Sequence, residues 1–285
     1  MSTAADIIIT KRRKRLLKLK RNIVIYMLVT FGVTWLIWFP LLANHSLGMN
    51  LPIIPGQFYL ASFGPLIGAV VSSATTSGWK GTKDWGKRVF SFDFSLRLLT
   101  VVGILLLVYF LVSITVHAIV LGNWPEWIRF GITEKLPGLN IWQTSLVWIL
   151  TFGLGEESGW RGYMIPELYK RYSLLKSSLI TAGVWIVWHL PAFWFNPNYM
   201  EMGWGVLGWA ISLAYGSVLL AWICRSSKWS IIPVILWHGG FDLLTASDQA
   251  GEVMAMVCSM LVIIHGVVLS RRLSKEELPN KNIFY

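Results

Sequence analysis

An all-α, polytopic membrane fold with about eight transmembrane helices is what this 285-residue chain predicts, and three observations carry the prediction. Hydrophobic residues make up 55% of the chain and Asp, Glu, Lys and Arg together 14%, whereas a soluble domain carries about a quarter charged residues. The mean hydropathy is +0.58. The apolar residues are gathered into long runs, and Lys and Arg are confined almost entirely to alternate gaps between those runs.

The runs fall at about 23–44, 57–77, 98–121, 141–156, 175–195, 204–224, 230–246 and 252–270. A helix rising 1.5 Å per residue needs about 20 residues to cross roughly 30 Å of hydrocarbon. The first, third, sixth and eighth runs meet that length. The fourth is short if it stops at Glu156, so its helix is expected to continue past the glutamates. The seventh is also short and carries His238 and Asp242. The chain therefore divides into a basic cytoplasmic tail at 1–21, a membrane domain at 22–270 with its motif core at about 141–246, and a polar cytoplasmic tail at 271–285.

Orientation follows from Lys and Arg, which collect in cytoplasmic segments. Eight lie in residues 11–21, and with eight crossings 23 of the 25 fall on the side of the termini, leaving Arg129 and Lys135 opposite. Both termini are thus expected in the cytoplasm. The net charge of +11 is what short basic cytoplasmic loops produce and is no sign of a nucleic-acid partner. The run KRRKRLLKLKR reads as a topogenic anchor that also touches anionic lipid. Cys224 and Cys258 both lie inside apolar runs and read as small core residues, without metal-type spacing. Tryptophan occurs 17 times, and Trp38, Trp127, Trp142 and Trp229 fall near expected interfaces, as an aromatic belt requires.

Ionisable residues inside spans cost at least about 2.5–3.5 kcal/mol each on insertion scales, which makes them functional candidates. In GLGEESGWRG, Glu157 and Arg161 stand four residues apart, with the acid on the amino-terminal side, the favoured order for a helical pair. Glu156 is rotated about 100° away and has no expected partner in its own helix. One carboxylate can thus be held ionised while the other reacts. Gly153, Gly155, Gly159 and Gly162 allow close helix approach. In VWIVWHLPAFW, His189 is expected mid-span with Trp185 one turn before it, and Pro191 should bend the helix or free its backbone. In ILWHGGFDLL, His238 and Asp242 share a helical face, so the carboxylate could orient the imidazole. Each feature alone has a plain packing explanation. Counted by depth, however, the three segments can meet in an intramembrane cavity open to the cytoplasm. Two histidines and a carboxylate around one water are the makings of a hydrolytic site, with or without zinc. His117 and His265 lack an acidic partner at helical spacing and read as packing residues.

EESGWR, WIVWH and HGGFD, in that order on successive spans, resemble the CPBP family, which comprises the type II CAAX prenyl proteases and the bacteriocin-processing or immunity (Abi) proteins. ASFGPLIGAVV at 61–71 is similar to that family's second helix. The resemblance implies a membrane-embedded hydrolase of the protease class, an endopeptidase in a bacterial cell membrane. Glu156 would activate water, supported by Glu157 and Arg161; His189 would complete the water site; His238 and Asp242 would polarise the scissile carbonyl. The catalytic set is then Glu156, Glu157, Arg161, His189, His238 and Asp242. A zinc ion, if used, would be held by His189, His238 and Glu156; a metal-free mechanism is equally open. Trp185 stands where the pattern usually has Phe, and Asp242 where the prenyl proteases have Asn. An ionised Asp cannot donate to an oxyanion, so Asp242 is expected to orient His238 or to be itself protonated. The implied partner is a peptide or protein at the cytoplasmic leaflet, lipidated or not, together with membrane lipid. Two other function classes fit parts of the pattern. A proton-coupled transporter would use Glu156, His189 and His238 as a relay, but should show internal repeats, and none is visible. A non-catalytic immunity or scaffold protein would tolerate loss of Glu156.

Overall fold

The computed structural model describes residues 4–247 and 251–276, and every regular element among them is helical. Eight helical stretches occupy the eight apolar runs: α1 (Ala4–Leu47), α2 (Gln57–Val89), α3 (Leu96–Leu121), α4 (residues 141–169), α5 (Leu174–Trp188), α6 (Gly205–Ser226), α7 (Ile232–Ala246) and α8 (Gly251–Leu273). Of these, α1, α2, α3, α6 and α8 are long and apolar enough to cross a bilayer by themselves. The 15 residues each of α5 and α7 span only about 22 Å. The basic run at the amino terminus is continuous in backbone with α1. The polar tail expected beyond residue 276 lies outside the described residues.

Helix boundaries follow from local chemistry. Asn140 starts α4 with a capping box: its side chain accepts from the Trp142 and Gln143 amides, and Gln143 Oε1 accepts from the Asn140 amide. Ser173 caps α5 by accepting from the Lys176 amide. At the other end of α5, the α-helix stops at Trp188 with His189 as its C-cap, and the chain tightens into a 3-10 helix over Leu190–Trp194 with Pro191 in its first turn. His189 is therefore at a helix end and not mid-span as expected. The carbonyl of Trp188 is not orphaned there, because the Trp35 indole donates to it at 3.0 Å.

Contacts sort the helix ends onto two faces. On one, Asn22 of α1 donates to Glu167 of α4, Trp85 and Arg88 of α2 donate to the Gly162 carbonyl, the Ile231 amide donates to Val89, and Arg225 pairs with Glu276. This face carries the basic segments. On the other, Ser46 donates to the Trp194 carbonyl and Tyr59 to that of Lys135. The core between them is largely aromatic. Trp38 and Trp229 belong to it, at 2% and 7% exposure, and not to an interfacial belt; Trp142 is exposed, as a belt residue should be.

Two glycines set how closely α4 approaches α2. A Cβ at Gly155 would lie 2.6 Å from the Ser62 carbonyl oxygen, and one at Gly159 would lie 2.5 Å from both the Pro65 carbonyl and the Tyr26 hydroxyl. Any side chain here would push the helices apart, which is the use anticipated for the glycines of this segment.

Candidate active site

The helix carrying the glutamates continues to Tyr169, as its short apolar run required, but not as a regular α-helix. Residues Ile149–Glu156 and Trp160–Met164 wind as π-helix around a short α-turn at Glu157–Gly159. Such bulges concentrate at functional sites, and the wider turn brings successive side chains closer in direction than 100°. Glu156 and Glu157 consequently both point into the protein, at 2% and 0% exposure.

Their partners differ. The Arg161 guanidinium donates from Nη1 to Glu157 Oε1 at 2.9 Å, with both side chains fully buried. The same oxygen accepts from His238 Nδ1 at 2.7 Å. Glu157 thus joins α4 to α7 and fixes the imidazole so that Nε2 is its free nitrogen. Asp242 Oδ2 lies 3.8 Å from that Nε2, too far for a hydrogen bond. The orienting acid is therefore Glu157, a correction to the role expected of Asp242. Asp242 instead holds an oxygen near the ring nitrogen that Glu157 does not engage.

Glu156 is gripped by two tryptophans that the sequence reading did not assign to the site. Oε2 accepts from Trp185 Nε1 at 2.7 Å and from Trp160 Nε1 at 3.3 Å. Trp160 is four residues along on α4, so Glu156 does have a partner in its own helix, contrary to expectation. The i,i+4 spacing was visible in EESGW; what hid it was treating indoles as apolar bulk although each carries one donor.

Trp185 is the centre of the cluster. The guanidinium of Arg161 lies 4.4 Å from its ring centroid, and the rings of His189 and His238 lie 6.0 Å and 5.7 Å from it. His189 Nδ1 donates to the Trp185 carbonyl at 2.8 Å, which leaves its Nε2 as an acceptor. Tyr199, on the one-turn helix Pro197–Met200, faces the His189 ring at 5.8 Å. Burial, then the negative charges of Glu156 and Asp242, raise the Tyr199 phenol above its ordinary range, which keeps it a neutral donor.

All six expected residues therefore lie in one connected cluster. His265 instead meets the Tyr109 hydroxyl at 3.3 Å, and His117 is buried in α3. As a metal centre the cluster fits poorly. Among the described residues no three His, Cys, Asp or Glu side chains converge as ligands.

Residues 138–244, which contain every one of these groups, match the family described as type II CAAX prenyl endopeptidase, Rce1-like. The chain is similar to this CAAX endopeptidase family. The likeness extends well beyond the motifs: a CAAX prenyl protease 2 from Methanococcus maripaludis is 28% identical over 277 residues, covering 91% of this chain and 98% of the relative. Within the family pattern, Trp185 occupies the aromatic position four before the histidine. Trp185→Phe keeps a ring there but removes the donor to Glu156. A hydrogen bond to a charged group is worth about 1.5–3 kcal/mol, so turnover should fall about ten- to a hundredfold with little change in thermal unfolding. Rates equal to wild type would show that the indole N–H has no part in positioning the carboxylate.

Proposed function

We propose that this chain is an intramembrane endopeptidase that hydrolyses a peptide bond of a membrane-associated peptide or protein through water activated by Glu156. The observation that carries the reading is the buried Glu156 carboxylate, held by two indole donors, beside two histidines whose Nδ1 atoms are engaged, which leaves each Nε2 to act on a substrate or water. Glu156 takes a proton from water as the water oxygen attacks the scissile carbonyl carbon. His189 Nε2 accepts from the same water and aims it. As the carbonyl oxygen gains negative charge, His238, protonated at Nε2 and backed by Glu157, donates to it. The C–N bond then breaks, and Glu156 returns its proton to the leaving amine nitrogen. Asp242 stabilises the protonated state of His238 from 3.8 Å, a task that needs charge and not donation, so Asp in place of Asn is compatible with the chemistry.

The proposed route runs without a metal ion, because among the described residues no three His, Cys, Asp or Glu side chains converge as a ligand set. The test is purified protein incubated with a library of membrane-tethered peptides, lipidated and unlipidated, with and without chelator. Cleavage that is lost in Glu156→Gln and unchanged by chelator is the expected result. Cleavage abolished by chelator and restored by zinc would overturn the metal-free route, and no cleavage of any peptide would overturn the endopeptidase.

A further inference from the structure

We propose that a polar cavity between α2 and α4, on the face carrying the basic segments, binds the headgroup of a zwitterionic phospholipid, one that bears both a phosphate and a protonated amine. The site is separate from the catalytic cluster, none of whose six residues lines it.

Gly78 shapes the cavity. α2 breaks there, with φ +67° and ψ −176° inside the helix, a conformation that suits glycine and few other residues. Beyond the break the chain reads KGTKDWGKR over residues 80–88. It is tied back to α4 where Trp85 Nε1 and Arg88 Nη2 both donate to the Gly162 carbonyl, at 3.1 Å and 3.0 Å. The break and the tie enclose a space of about 260 Å³. Pockets for drug-sized ligands run to about 300–1,000 Å³, so the occupant is small or is the polar end of a larger molecule.

The lining supplies donors and acceptors together. Ser73, Ser77, Arg88 and Tyr163 bring N–H and O–H groups, and Asp84 and Glu167 bring carboxylates. Two of the donors are buried and uncommitted. Arg88 Nε has no partner, and the Tyr163 hydroxyl, beside those of Ser72 and Thr76, completes no hydrogen bond. Buried polar atoms are seldom left so, and both suit phosphate oxygens, which guanidinium groups bind strongly. A phosphate alone would meet two acids. A metal cation alone would meet the guanidinium. A headgroup with both charges satisfies each side, its phosphate at Arg88 and its ammonium at the acids. Glu167 is already shared with Asn22 and Lys170, which leaves the exposed Asp84 as the carboxylate best placed for the ammonium.

The surroundings point to a lipid as the bearer of that headgroup. Trp79, next to the break, is 68% exposed, and the Lys83 ammonium sits 5.7 Å from its ring centroid. Exposed aromatic and basic side chains of this kind gather where membrane meets water. On the other side of the break, Val70 precedes Ser77 by two turns on the same helix face, with Ile67 beside it. These two apolar side chains are 36% and 38% exposed. An acyl chain can thus lie along the outer flank of α2 while its headgroup turns in at Ser77.

The test is lipid titration into the purified full-length protein in a non-ionic detergent, read by native mass spectrometry and by thermal unfolding. Phosphatidylethanolamine should bind and raise the unfolding temperature. Phosphatidylglycerol, which lacks the amine, and phosphatidylcholine, whose ammonium has no N–H to donate, should both bind more weakly. Two substitutions at exposed positions should leave the lipid-free unfolding temperature unchanged. Asp84→Asn should weaken phosphatidylethanolamine about tenfold, the loss of one charge-assisted hydrogen bond, and remove its advantage over phosphatidylglycerol. Ser77→Trp should fill the cavity and abolish the effect of the lipid. Equal binding of all three lipids by the wild type, or undiminished binding by Ser77→Trp, would overturn the site. Free phosphoethanolamine binding as tightly as the lipid would overturn the lipid assignment in favour of a soluble ligand.

Discussion

Glu156→Gln should abolish peptide cleavage while leaving the protein folded. The amide oxygen of Gln can still accept from the indoles of Trp185 and Trp160, which now meet the Glu156 oxygen at 2.7 Å and 3.3 Å, and the side-chain volume is unchanged. What is lost is the basic carboxylate. A positioned general base is worth about 10²–10⁴ in rate, so turnover of a tethered peptide should fall by at least that factor. Size-exclusion profile and thermal unfolding in detergent should match the wild type. Retention of more than a tenth of the activity would remove Glu156 from the role of base.

Glu157→Gln should fail differently, by losing stability along with activity. Arg161 and Glu157 are both at 0% exposure and bonded at 2.9 Å. Removing one charge strands the other where water cannot reach it, at about 3–5 kcal/mol. His238 loses its carboxylate partner in the same step. Expression and unfolding temperature in detergent should both drop. Replacing both partners by apolar residues, Glu157→Leu with Arg161→Met, is predicted to recover much of the stability and none of the activity, because His238 is still unsupported. A Glu157→Gln variant as stable as wild type would mean that Arg161 finds another acceptor.

The contrast between these variants shows what the sequence could convey. The helical runs, the Glu157–Arg161 pair and the convergence of three distant segments were legible, because hydrophobic run length and i,i+4 spacing are local properties of the chain. The partner of His238 was not. Within its own helix the nearest acid is Asp242, and only packing of α7 against α4 reveals that Glu157, 81 positions away, is closer. His189 reads as mid-span, whereas the α-helix gives way at His189 to a 3-10 turn that holds Pro191. Trp185 and Trp160 were missed because nothing in the order of residues says whether an indole N–H meets a carboxylate or lipid.

The buried trio of Glu156, Glu157 and Arg161 also bears on how the protein is made. A nascent α4 entering lipid alone would carry three ionisable groups with it, each unfavourable by at least about 2.5–3.5 kcal/mol, and two of their principal partners, Trp185 and His238, lie on segments synthesised later. Its stable residence in the bilayer thus depends on α5 and α7 arriving beside it. Biogenesis of this protein is cooperative among helices, and the catalytic centre doubles as the lock that completes insertion.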